Sequence, residues 1–169
     1  GNGGSYDILM EANADEAVAE ADSDEEEAAE AEADEAEAEL EAAIEVENDL
    51  RSEIVTYALQ FVGNRYKYGG TNPNTGVDCS GFTSYVMRHA AEVELPHSSG
   101  GQSRMGRQVS SSEMRPGDII CYGSGKRINH VALYIGNGQI VHVSTEKTGI
   151  KVSRWNYRTP VRIVNVLGD

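Results

Sequence analysis

The sequence predicts an α+β domain around an antiparallel sheet, preceded by an acidic segment. Three observations lead there. The first fifty residues hold twenty Asp or Glu and no Lys or Arg, and the remainder holds eight acids against fourteen bases, so an arm of −20 precedes a domain of +6 within a chain of net charge −14. Apolar residues then recur at three and four between Ser52 and Val93, the period of a helix face. From Asp118 onward the period is two, that of a strand. Helices followed by a strand meander give the α+β order.

Residues 1–50 are almost wholly Ala, Glu and Asp after a short glycine-rich start. Ala and Glu favour helix, but acids three and four apart repel along it and few large side chains are available to bury. The expectation is a disordered or marginally helical segment serving as a solvated linker or spacer. A sharper alternative lays it as a helix on the basic domain, where covering the active-site mouth makes it inhibitory.

The domain spans residues 51–169. SEIVTYALQFVGNRY predicts an amphipathic helix with Ser52 as N-cap, Ile54, Tyr57 or Ala58, and Phe61 on one face, and Gly63 as stop. TNPNTG reads as a loop. CSGFTSYVMRHAAEV predicts a second helix with Phe82, Val86 and Ala90 inward. PHSSGGQSRMG reads mostly as loop, with at most a short helical turn. DIICYG, HVALYIG, QIVHVS, IKVSRW and VRIVNVL are five strand-like runs. No apolar run approaches the roughly 18 residues that cross a bilayer. The chain opens on Gly without an export signal, which reads as a trimmed or recombinant form.

Two cysteines are too few for a disulfide framework. Cys79 follows Asp78, a good N-cap type, so it falls in the first turn of the second helix, where free N–H groups and the helix dipole favour a thiolate. Small Ser80 and Gly81 leave room for a substrate. Cys121 alternates with apolar neighbours and is expected in the core.

His130 and His142 stand on either side of Gly136-Asn137-Gly138. A two-residue Asn137-Gly138 turn pairs Ile135 with Ile140 and sets His142 opposite Leu133, on the other face from His130. A three-residue loop pairs Ile135 with Gln139 and His142 with Ala132, so the two histidines share a face as diagonal neighbours roughly 7–8 Å apart. Only the second register joins Val141 and Val143 to the apolar side of Val131, Leu133 and Ile135, and burial therefore predicts it. His130 is then a candidate base for Cys79, with His142 orienting its ring. Cys and His also ligate zinc, but C-x-x-C and H-E-x-x-H elements are absent, so no cofactor is expected. His89 and His97 read as ordinary surface or loop residues.

YKYGG, DCSGF, PGD and NHVALYIGNGQIVHVS, in that order, resemble the NlpC-type cell-wall cysteine peptidases over about residues 52–167. The resemblance implies a papain-like fold, a central antiparallel sheet with helices packed at one side. It also implies Cys79 as nucleophile, His130 as base, His142 as the orienting residue, and Tyr66, rather than Tyr68, near the oxyanion. Asp78, Ser80 and the LPHSSGGQ loop would lie along the substrate groove. The implied partner is the peptidoglycan stem peptide, cut between D-γ-glutamate and diaminopimelate or lysine by a secreted or wall-associated protein. The same thiol and imidazole suit an amidase or acyltransferase, and a wall-binding module would keep the fold without catalysis. The acidic segment has no counterpart in the shared pattern.

Overall fold

The computed structural model describes residues 24–169, so residues 1–23 of the expected acidic spacer lie outside the described part. The chain divides into two compact units that meet in sequence between Ile44 and Glu45.

Helix α1 runs from Asp24 to Leu59, and Ser52 lies inside it rather than at its start. No Gly or Pro interrupts residues 24–59, so nothing in the acidic stretch stops a helix made of strong formers. Ser52 therefore meets no free N–H groups to cap. Side chains of residues 26–43 are exposed. In the second unit the helix buries Arg51, Ile54 and Ala58, followed by Phe61 beyond its end. A turn then leads to Gly63, whose φ of 95° turns the chain toward the sheet.

The expected TNPNTG loop is a tight connection between β1 (Thr71–Asn72) and β2 (Gly76–Val77). The Asn72 side chain accepts the Asn74 N–H at 2.9 Å and fixes that turn. Helix α2 spans Cys79–Ala91 and ends on Glu92 in the left-handed conformation. The polar segment after it forms the short α3, Ser99–Ser103.

Six strands follow: β3 (Arg107–Gln108), β4 (Ile119–Ser124), β5 (Arg127–Gly136), β6 (Gln139–Val143), β7 (Ile150–Arg154) and β8 (Pro160–Asn165). They form one sheet in the order β3-β8-β4-β5-β6-β7, each neighbouring pair antiparallel. The five expected runs are β4 to β8; β3 was too short to show a period. On one face, Phe82, Val86 and Met87 of α2 pack with Ile54, Ala58 and Phe61 against Leu133, Val141, Val143 and Ile150. Each fully buried Val, Leu, Ile, Phe or Met among them contributes about 1.5–3 kcal/mol. The other face carries Ile120, Tyr122, Ala132, Tyr134, Ile140 and Ile163 under Val109, Met114 and Trp155.

Buried Arg51 ties α1 to the sheet by reaching Asp118 at 3.1 Å, Asp169 at 2.6 Å and the Pro116 carbonyl at 2.8 Å. Burial pushes the Asp118 carboxyl up, whereas Asp169 is held at about 2 by hydrogen bonds from Arg51 and Asn165 that outweigh its own burial.

The β5–β6 hairpin departs from expectation at its tip and agrees below it. Its turn has two residues, Asn137 and Gly138, at φ 54° and 73°, the left-handed pair that a tight hairpin turn with Asn-Gly prefers. Gly136 pairs with Gln139, but the next pair is Tyr134 with Ile140, so Ile135 is an extra, bulged residue. Leu133 then faces Val141, and one further step sets Ala132 opposite His142. A bulge thus produces the register for which a three-residue loop was expected.

Candidate active site

Asp78 caps α2 from an extended conformation, its Oδ1 accepting the Gly81 N–H at 2.7 Å. The same oxygen accepts a hydrogen bond from His97 Nε2 at 2.8 Å, since a carboxylate oxygen can only accept from the imidazole N–H. Ser80 Oγ stands 3.4 Å from it, and Ser80 is buried. A Cβ on Gly81 would overlap the Gly70 carbonyl oxygen, which is why the helix start and the YKYGG segment meet through glycines. These contacts fix Cys79 as the first residue of α2.

The backbone N–H of Val131 is near enough to favour the charged form of the Cys79 thiol, with those of Ser80 and Cys79 itself contributing less. Val131 follows His130, so the thiol lies near the peptide next to the imidazole. His130 Nε2 lies 2.8 Å from His142 Nδ1, and the ring centroids are 5.1 Å apart at 71°. His142 is buried, and its Nε2 lies 2.8 Å from Ser153 Oγ. Among the described residues His130 Nδ1 has no hydrogen-bond partner, so one ring nitrogen of the pair is open. Tyr157 packs 5.2 Å from both His142 and Tyr122, and Tyr122 lies 5.9 Å from His130.

Tyr66 bridges Val77, two residues before Cys79, while Tyr68 is 88% exposed. Burial, then the charges of Asp78 and Cys79, push the Tyr66 hydroxyl up, so it remains a proton donor.

Burial opposes the expected favouring of a thiolate. Burial pushes the Cys79 thiol up; the Val131 N–H pulls it down, Asp78 raises it again, and the net direction is upward. Burial lowers His130 to about 4, helped by Arg158, and lowers His142 to about 3, helped by His130 and Lys151. Two neutral imidazoles follow at neutral pH. The helix start does supply donors, but desolvation outweighs them.

Three residues hold this arrangement without having been singled out for it: His97, expected to be an ordinary surface or loop residue, Ser153, and Gln102 of the LPHSSGGQ loop. His97 is bound to Asp78, and Ser153 closes the chain of imidazoles. Gln102 is fully buried; its Nε2 lies 2.9 Å from each of the Ser80 and Pro96 carbonyls and Ser84 Oγ, which share its two N–H donors, and its Oε1 accepts from Thr83 Oγ1 at 2.5 Å. It pins α3 to the first turns of α2. Nothing in their local pattern marks these roles, although a Gln inside a Gly/Ser-rich run is the kind of side chain that ties loops down. Among the described residues no three His, Cys, Asp or Glu side chains are placed to hold a metal ion.

The NlpC/P60 family model matches residues 63–163, more than half of the chain. The chain belongs to the NlpC/P60 family. The matched span contains Tyr66, Cys79, His130 and His142 and leaves out the acidic segment. Murein DD-endopeptidase MepS/murein LD-carboxypeptidase of Escherichia coli K12 is 40% identical over 108 residues, covering 64% of this chain and 56% of that protein. Gamma-DL-glutamyl hydrolase of Bacillus subtilis 168 is 38% identical over 107 residues, 63% of this chain and 25% of that protein. The chain therefore spans about half, or less, of the length of these curated relatives. Among solved structures, the NlpC/p60 domain of peptidoglycan hydrolase SagA aligns with a TM-score of 0.63 at 31% identity, over 68% of this chain and 97% of that domain. The NlpC/P60 fold, helices on a six-stranded antiparallel sheet, is the one described above.

Proposed function

We propose that the chain is a peptidoglycan hydrolase that cuts the stem peptide between D-γ-glutamate and a diamino acid through a Cys-His-His acyl-enzyme. The observation that carries this reading is the 2.8 Å contact of His130 Nε2 with His142 Nδ1, in a domain whose second helix starts on Cys79.

From a neutral resting site, His130 Nδ1 takes the Cys79 proton as the sulfur attacks the γ-glutamyl carbonyl carbon. The imidazolium that forms donates from Nε2 to His142 Nδ1, and His142 Nε2 donates in turn to Ser153 Oγ. The Cys79 N–H and the Tyr66 hydroxyl meet the oxyanion. The carbon–nitrogen bond then breaks, with the His130 proton passing to the leaving amine. Water deprotonated by the same nitrogen attacks the thioester, releasing the γ-carboxylate and restoring the thiol. Asp78 and Ser80 border the carbonyl while holding the helix start.

The relatives' names span DD-endopeptidase, LD-carboxypeptidase and gamma-DL-glutamyl hydrolase activities, so the bond is what experiment must identify. A substrate of this kind puts the protein at the cell wall, secreted or wall-associated. Among the described residues no helix is long and apolar enough to cross a membrane. Residues 1–50 then act as a spacer ahead of a catalytic domain at 51–169. The test is incubation with purified stem peptides and mass identification of products. Cleavage after γ-glutamate by the intact chain, absent in Cys79→Ala, is expected; products cut elsewhere would reassign the bond, and turnover by Cys79→Ala would remove the mechanism.

A further inference from the structure

We propose that Arg158, in the connection between β7 and β8, is a positioning residue that keeps the base His130 unprotonated in acid and so carries hydrolysis down to acidic pH. The proposal rests on the Cys-His-His reading above and adds a residue to it.

Arg158 is anchored beside His130 from two sides. Its Nη2 donates to Asn129 Oδ1 at 3.2 Å, and Asn129 is the residue before His130. Its guanidinium carbon stands 5.7 Å from the centre of the Tyr122 ring, inside the roughly 6 Å over which a ring face attracts a cation. Tyr122 is the cross-strand partner of His130, and the two rings are 5.9 Å apart. The Tyr122 ring is itself fixed: it is fully buried, and its hydroxyl donates to the Trp155 carbonyl at 2.5 Å in the same connection. Among the described residues Arg158 forms no ion pair, so no carboxylate cancels its charge.

The other groups around the imidazoles bring no anion. His142 of β6 and Tyr122 of β4 flank His130, and Tyr157 packs on His142. Cys79, at the start of α2, packs against the cluster that holds Val131, the residue after His130. Lys151 of β7 pairs with His142 and acts on it as a second cation. The Asp78 charge bears on Cys79 and Tyr66 and on neither imidazole.

A neighbouring anion favours a charged imidazole, and a neighbouring cation opposes it. Where a carboxylate orients the base it stabilises the imidazolium; here His142 takes that place and carries no negative charge. Burial is the larger cause that holds His130 at about 4, and the Arg158 charge is the second. A base must be neutral to accept the Cys79 proton, so the acid limit of turnover lies where His130 protonates. Arg158 is the part of that limit that one substitution removes.

The test is a charge series, R158K, R158Q and R158E, read in two ways. In the full chain carrying Cys79→Ala, NMR titration of the His130 ring, assigned by its loss in His130→Gln, gives the protonation midpoint directly. With Cys79 intact, the acid limb of kcat/KM on a stem peptide gives it through turnover. The midpoint should rise by at least about half a pH unit in R158Q, rise further in R158E, and stay near the parent's in R158K. Lost packing on Tyr122 would move the three without regard to charge. Circular dichroism checks each fold, and R158Q against R158K decides if R158E does not fold. Midpoints unmoved by R158Q, or moved out of charge order, would overturn the proposal. If the chain cleaves no stem peptide the hydrolase reading fails, while the NMR midpoints still decide what Arg158 does to His130.

Discussion

Cys79 and Cys121 touch the same aliphatic cluster of Ile119, Val131 and Val164, yet they are different chemical groups. Cys121 sits inside β4, fully buried, and burial drives its thiol to about 12 with only the Arg162 charge opposing. Cys79 is partly open at a helix start, where the N–H groups of Val131 and Ser80 and its own favour the charged thiol against burial. Apolar surroundings alone thus leave a thiol inert. What separates the two is a set of fixed donors and an imidazole pair one residue away.

The largest expected effect is on turnover. Cys79→Ala should lower hydrolysis at least about 10³-fold with an unchanged melting curve, whereas Cys121→Ala should keep the rate and cost about 1–2 kcal/mol in urea unfolding. A folded but inactive Cys121→Ala protein would break the contrast. His130→Ala should fall nearly as far as Cys79→Ala, about 10³-fold. His142→Ala should fall about 10²-fold, since the base stays and only its orientation is lost; equal losses in kcat would mean that His142 does more than orient.

Gln102→Leu sharpens the contrast from the structural side. It removes the Gln102 bonds to Thr83, Ser80, Ser84 and Pro96, a cost of about 1–3 kcal/mol, and it loosens the end of α2 that carries Cys79 while leaving β4 intact. Iodoacetamide should then label Cys79 with altered kinetics and still spare Cys121; labelling of both in the native state would show that the sheet has opened.

Acid gives the most graded effect. Both imidazoles are held below the ordinary value of about 6.5, so the unfolded chain binds protons first as pH falls. Their contribution to stability is whole above pH 6.5 and is lost on descending toward pH 4, by at most about 1.4 kcal/mol per pH unit for each ring. Urea midpoints at pH 7 and 4.5 measure it, and a His142→Gln protein should show a shallower decline. A decline as steep as in the parent would place the acid sensitivity elsewhere.

The sequence made the sheet legible because β4 to β8 are short apolar runs set off by Gly, Asn or Pro, of which β4, β5 and β6 are buried on both faces, and it made the helix-start cysteine legible because Asp78 is a strong capping residue. The shared face of His130 and His142 followed from where Val141 and Val143 had to be buried, although the device that achieves it, a bulge at Ile135 above a tight Asn-Gly turn, did not. Periodicity fixes which side a residue faces but not which of two turn geometries supplies the count. The start of α1 was misplaced because Ser52 has capping chemistry, whereas the helix needs a break to start there and has none. His97, Ser153 and Gln102 were silent for a different reason: their partners Asp78, His142 and Thr83 lie 11 to 19 residues away. Such contacts exist only once the chain has folded.

The bulge at Ile135 makes this hairpin unusually forgiving at one position. Removing that residue would straighten the ladder yet keep Tyr134 facing Ile140, so the imidazoles would stay side by side. Removing one residue below it, between His130 and Leu133, would turn one ring through the sheet. Length drift among descendants of this chain should therefore gather at the hairpin tip, a genetic corridor where residues come and go without silencing the thiol.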